Sequence, residues 1–220
     1  MARAGLVFAV LLGVGSVARA QISVPAEASA NAKPTEFHDS RYGVGFEVPA
    51  GWSFGRRDHQ VSTFHIDAHS APRKAQLRGV ASILFNPFPS STFSGAWFYF
   101  SVEPHSNDRE CAGQASRSVG AEQSLEDIGG MDFVHGHEES GRTCVELRDD
   151  TYTAYRKGAC YRFDLTVTTF CAISSGAQEM SGQQLEDIQG RLDGILESVV
   201  LDWKPAVIPK AGGSGRRPLP

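Results

Sequence analysis

Two stretches of this chain are apolar on both of their alternating faces, and nothing else in the sequence limits the possible folds as much. They are residues 79–86 (GVASILFN) and 96–102 (AWFYFSV). In the second, Trp97 and Tyr99 fall on one face of a strand, and Phe98, Phe100 and Val102 on the other. Such a strand belongs in the middle of a layered structure, covered above and below, not at a wetted edge.

Other strand signals surround this pair. Val44, Phe46 and Val48 alternate ahead of the turn Pro49-Ala50-Gly51, and Trp52 and Phe54 resume the alternation. Phe64 and Ile66 mark another strand. Residues 107–127 read as a helical connection that Asn107 or Asp108 caps. Four strands follow at 131–138, 142–148, 151–157 and 160–169, with Asp149-Asp150 and Gly158-Ala159 as two-residue hairpin turns. Leu185, Ile188, Leu192, Ile195, Leu196 and Val199 then recur every three or four residues, the period of a helix that lays one face on a sheet. The expected fold class is α+β: an antiparallel sheet sandwiched by helices, in α/β/α layers.

The termini set the domain organisation. Arg3, the apolar run Gly5–Val17 and the small residues of Ala18-Arg19-Ala20 occur in the order of a secretory signal peptide, with cleavage ahead of Gln21. The run is too short for a comfortable membrane span and no second one follows, so no integral membrane association is expected after cleavage. Residues 21–35 read as a flexible leader, 36–203 as the folded domain and 204–220 as a Pro/Gly-rich disordered tail. The expected location is secreted, in periplasm or medium. The formal net charge of the whole chain is -4. Loss of Arg3 and Arg19 makes the mature chain two units more acidic, which argues against a nucleic-acid partner.

The segment Tyr42-Gly-Val-Gly-Phe-Glu-Val-Pro49-Ala-Gly-Trp52 resembles the opening hairpin of PsbP-like domains, the Mog/PsbP sandwich fold. Members tend to close on a helix of the Ile195-Leu196-Glu197-Ser198 type before a short last strand, which Val199–Trp203 fits. Gly158-Ala-Cys160-Tyr161-Arg-Phe163 is similar to a strand of exported bacterial proteins of this kind. The resemblance implies a binding or assembly module more than an enzyme, with an envelope or secreted protein as partner.

Two constellations carry chemistry. With the hairpins as read, Val145, Leu147, Tyr152, Phe163, Leu165 and Val167 form the core face of the last strands. Glu146, Arg148, Thr153, Tyr155, Arg162, Asp164 and Thr166 form the other. Within the second set, Glu146, Arg148, Tyr155, Arg162 and Asp164 make a polar face for a ligand or partner; a solvated face with cross-strand ion pairs is the plainer reading. His135-Gly-His137-Glu138-Glu139 is the metal candidate, because residues two apart on a strand share a face and both imidazoles can reach one divalent ion. Surface histidines without metal are the plainer reading there. No nucleophile elbow, zincin, P-loop or dinucleotide motif occurs, and no cofactor is predicted by motif. The preferred function is an exported non-enzymatic module, and the alternative is an exported metal-dependent hydrolase built on His135 and His137.

Four cysteines in an exported chain point to disulfides. Cys160 and Cys171 lie at opposite ends of one strand, too far apart to bond. Cys144 and Cys160 have a strand between them, and the same register puts Cys144 and Cys171 further apart still. Every full pairing therefore conflicts with the simple meander: either the hairpins differ or only one bridge forms, with Cys111–Cys160 favoured.

Overall fold

A computed structural model describes residues 33–61, 75–83, 86–115, 123–142, 144–172 and 176–202. The stretches read as signal peptide, leader (as far as residue 32) and carboxy-terminal tail, and the strand read at Phe64 and Ile66, lie outside the described residues.

The chain runs β1 (Thr35–Asp39), β2 (Val44–Val48), β3 (Trp52–Val61), β4 (Gln76–Ile83) and β5 (Phe93–Pro104), then a short helix α1 (Asp108–Ala112). It continues as β6 (Gln123–Ile128), β7 (Met131–Arg142), β8 (Val145–Arg156), β9 (Ala159–Phe170), helix α2 (Gly182–Glu197) and β10 (Val200–Leu201). Seven strands form one antiparallel sheet in the order β3-β4-β5-β9-β8-β7-β6, and β1-β2-β10 form a second, three-stranded sheet. The doubly apolar strands take the interior positions their pattern demands: β4 and β5 are both internal, and Phe98, Phe100 and Val102 are wholly buried.

The core lies on one face of the large sheet, under α2 and the small sheet together. Ser181 caps α2 through a capping box with Gln184, and Ile188, Leu192 and Ile195 recur on one helical face with no exposed surface. A chain of rings joins the layers: Phe37 meets Phe46 at 4.5 Å, Phe46 meets Phe98 at 5.0 Å, and Phe100 meets Phe163 at 5.2 Å between centroids. Two positions fix the corner of the small sheet. Asp39 is fully buried and takes the Nε–H of Arg78 at 2.7 Å, which ties β1 to β4. Gly43 has φ +64°, and a Cβ there would stand 2.2 Å from the Asp202 carbonyl oxygen, so the closure of β10 beside β2 requires glycine.

Three expectations are corrected. The layers are not α/β/α: the large sheet carries a helix and a second sheet on its core face, and sheet dominates the described residues. The connection at 107–127 is helical only over Asp108–Ala112, and Gln123–Ile128 is an edge strand. Most consequential, Asp149-Asp150 is not a turn. Residues 145–156 form one continuous strand, and the turn to β9 falls at Lys157-Gly158, with φ +49° and +82°. Positive φ at both central residues is the type I′ signature that suits a two-residue hairpin. Because β8 and β9 pair along their whole length, Val145 opposite Phe170, their far ends meet. Cys144 thereby reaches Cys171, with Cα atoms 4.7 Å apart, and forms the bridge that the shorter meander forbids. The favoured Cys111–Cys160 bridge is present, with Cα atoms 5.3 Å apart.

Candidate functional site, a histidine–carboxylate cleft

The strand correction also rearranges the polar face. A two-residue turn would put residues 148 and 151 on one face, whereas a continuous strand puts them on opposite faces. Glu146 and Arg148 therefore leave the face that holds Tyr155, Arg162 and Asp164. Val145 and Leu147 leave the core face of Tyr152. The five residues read as one ligand surface fall into two groups.

Arg162 and Asp164 are a buried ion pair, 2 % and 1 % exposed, with Arg162 Nε–H donating to both Asp164 oxygens at 2.8 and 2.9 Å. Thr151 donates to Asp164 at 3.0 Å, and Thr166 donates to Asp149 at 2.8 Å. Burial this deep makes the cluster a structural network within the fold; of the predicted set on this face only Tyr155 is exposed. Glu146 and Arg148 lie at the margin of the core face, where Arg148 pairs with Glu139 and Glu146, each at 3.3 Å.

His135 and His137 do share one face of β7, as their spacing predicts. Pairing of β7 with β8 sets Asp150 directly opposite His137, and pairing with β6 sets Ser124 directly opposite His135. One carboxylate oxygen, Asp150 Oδ1, lies 3.0 Å from His135 Nε2 and 2.8 Å from His137 Nδ1. For both contacts to be hydrogen bonds, His135 carries a proton on Nε2 and His137 one on Nδ1. The other His135 nitrogen, Nδ1, is 3.2 Å from Ser124 Oγ, and Ser124 Oγ is also 3.2 Å from Glu126 Oε1. The Tyr152 ring stacks on His135 at 4.4 Å with the planes 10° apart, which fixes the imidazole from one side. Glu139 stands 3.8 Å from His137 Nε2.

This cluster sits on the core face of the sheet, beyond the edge of the helix. Phe133, His135 and His137 alternate along β7, so one strand supplies both the core and the site. Where α2 stops covering the sheet, a cleft of about 450 Å³ opens, lined by Glu126, Asp127, His135, Tyr152, Asp193 and Glu197 among others. Its field is acidic. Burial pushes the Asp150 carboxyl up, but its hydrogen bonds and charge interactions with His135 and His137 outweigh that and hold it below the usual carboxylate range. Asp193, on α2, moves the other way: burial raises it, the Gln189 hydrogen bond opposes, and the charges of Asp150 and Glu197 raise it further. Tyr152 is raised by burial and then by Asp150, Asp193 and Glu126.

A Ser124–His135–Asp150 chain has the connectivity of a nucleophile relay. Ser124 has a single hydroxyl proton, though, and the Glu126 carboxylate competes for it, so the serine is not held as a nucleophile. Among the described residues no group of three or more His, Cys, Asp or Glu is placed so that it could hold a metal ion.

Sequence reasoning missed Ser124, Glu126, Asp150 and Asp193. Asp150 was legible in principle: continuing the β8 alternation through Asp149-Asp150 places it opposite His137. Ser124 and Glu126 were hidden by the helical reading of 107–127, and Asp193 reaches the site only through the docking of α2.

No family model and no curated protein matches the chain. Among solved structures, the solution structure of cyanobacterial PsbP (CyanoP) from Synechocystis sp. PCC 6803 aligns over 81% of this chain and 98% of its own, with 13% identity and a TM-score of 0.45. The PsbP-like neighbour expected from the opening hairpin is thus present. LpqN, involved in cell envelope biogenesis of Mycobacterium tuberculosis, aligns over 77% of this chain and 91% of its own, with 10% identity and a TM-score of 0.36. A protein from Bacteroides thetaiotaomicron VPI-5482 aligns over 76% of this chain with 10% identity and a TM-score of 0.41, and the chain spans about half of that neighbour's length, 47%. No comparison points to a hydrolase.

Proposed function

We propose that the protein is an exported module of the cell envelope that binds a cationic surface of a partner protein in the cleft between α2 and β6–β8. The observation that carries this reading is the composition of the cleft: Glu126, Asp127, Asp193 and Glu197 ring one open depression beside His135 and Tyr152. Clustered carboxylates against a sheet floor focus a negative potential, which attracts lysine and arginine side chains and speeds encounter with them. Export is supported by the pairing of all four cysteines in two disulfides, which persist in oxidising compartments. Among the described residues no helix is long and apolar enough to cross a membrane.

The test is recovery of tagged protein from envelope and medium fractions under mild crosslinking, with the Glu126→Lys/Glu197→Lys double variant alongside. A partner recovered in stoichiometric amount with the natural sequence and lost with the double variant supports the reading. Equal recovery with both, or none with either, overturns it.

A further inference from the structure

We propose that residues 203–220 of this chain fold back and occupy the acidic cleft, so that a cationic partner must displace them to bind. The inference rests on the reading of the cleft as a surface for cations and adds what regulates it.

Charge complementarity is its first support. Residues 203–220 (WKPAVIPKAGGSGRRPLP) hold Lys204, Lys210, Arg216 and Arg217, and none of the chain's 25 aspartates and glutamates. The cleft has the opposite character: Glu126, Asp127, Asp193 and Glu197 line it, and among the described residues of its lining none is lysine or arginine. Like charges crowd there. The Asp193 carboxyl is raised by burial and, against the Gln189 hydrogen bond, by the charges of Asp150 and Glu197, a repulsion that an entering cation relieves.

The second support is the place where the described chain ends. Leu201 pairs with Val44, and the Asp202 N–H donates to the Gly43 carbonyl at 2.7 Å, which fixes the way out of the small sheet. The same strand touches Gly129, a residue of the cleft wall: a Cβ there would stand 3.0 Å from both Leu201 Cγ and the Val199 carbonyl oxygen. Residues 203–220 thus start beside the cleft. An extended chain covers at most about 3.6 Å per residue, so Lys204 stands within about 7 Å of Asp202 and Lys210 within about 30 Å.

The third support is the arithmetic of a tether. A segment joined this closely to a site is present there at an effective concentration on the order of millimolar, so ion pairs that are weak singly suffice to fill the cleft. A separate partner meets only the open fraction, and its apparent affinity falls by that fraction.

Zero-length carbodiimide crosslinking of the disulfide-intact protein, residues 21–220, tests occupancy, with mass spectrometry on the monomer. Links are expected from Lys204 or Lys210 to Glu126, Asp127, Asp193 or Glu197, and they should disappear in roughly 0.5 M salt. An octalysine peptide serves as the cationic probe. Lys204→Ser/Lys210→Ser/Arg216→Ser/Arg217→Ser should bind it at least about fivefold more tightly than the natural sequence. In a Glu126→Lys/Glu197→Lys background the same four changes should alter probe affinity by less than about twofold, which separates docking from a general loss of positive charge. Absence of the links from the monomer, links only between two copies, equal probe affinity with and without the four changes, or an equal gain in both backgrounds overturns the tail as occupant. If Glu126→Lys/Glu197→Lys still weakens the probe in that case, the cleft is a cation surface that the tail does not fill. Probe affinity untouched by Glu126→Lys/Glu197→Lys overturns the cation surface itself, and this inference with it.

Discussion

Asp150 and Asp193 feel each other's charge, and their pKa values move in opposite directions, so they set opposite pH dependences. Asp150 is depressed in the folded chain: its stabilisation is present above the ordinary carboxylate value, about 3.9, and is lost as pH falls through the lower folded value. Asp193 is raised: between the ordinary value and the folded one the native state binds more protons, so stability falls as pH rises through that window. In chelator-treated protein, Asp193→Asn should therefore melt higher than the natural sequence at pH 7, with the gain shrinking as pH falls towards 4. Asp150→Asn should melt lower at pH 7. Away from the cleft, the buried Arg162–Asp164 pair predicts a larger effect. Asp164→Ala removes the carboxylate that pairs with this buried guanidinium and should cost about 3–5 kcal/mol in urea denaturation.

At the scale of elements, the β8–β9 hairpin carries both disulfides and one wall of the site. Its turn uses a lysine where the backbone needs positive φ, at a cost that Gly158 does not incur. Gly158→Ala should destabilise by about 1–2 kcal/mol, whereas Lys157→Asn should stabilise. The two bridges differ in access. Cys111 and Cys160 are buried, while Cys144 is exposed at the open end of the hairpin. Under limiting reductant, alkylation followed by mass spectrometry should label Cys144 and Cys171 first. From loop closure alone, sequence separations of 49 and 27 imply losses of about 4 and 3.5 kcal/mol for the Cys111–Cys160 and Cys144–Cys171 bridges. Most of this hairpin was legible, since the strand at 151–157 lies in β8 except for the turn residue Lys157 and the strand at 160–169 falls inside β9. The break at Asp149-Asp150 was misread because paired aspartates favour turns locally, and pairing with β7 and β9 on either side overrides that preference.

In the whole molecule, the small sheet has no core of its own. Its apolar faces meet α2 and the large sheet through Phe37, Phe46 and Phe98. The two sheets should unfold in one transition, with tryptophan fluorescence and far-ultraviolet circular dichroism coincident along a denaturant series. Phe46→Ala should shift both signals together by about 3–5 kcal/mol. The sequence by itself determined the internal place of the two doubly apolar strands, the amphipathic helix with its apolar period and the shared face of His135 and His137, and it favoured the Cys111–Cys160 bridge. Each of these follows from local periodicity or from the reach of a short segment. Only the tertiary structure decided that β8 runs unbroken, that Cys144 meets Cys171, and that Ser124, Asp150 and Asp193 gather around the histidines. Those depend on strand register and on where α2 ends against the sheet. A shift of one residue in register turns every side chain of a strand to the other face, and local propensity does not set that choice.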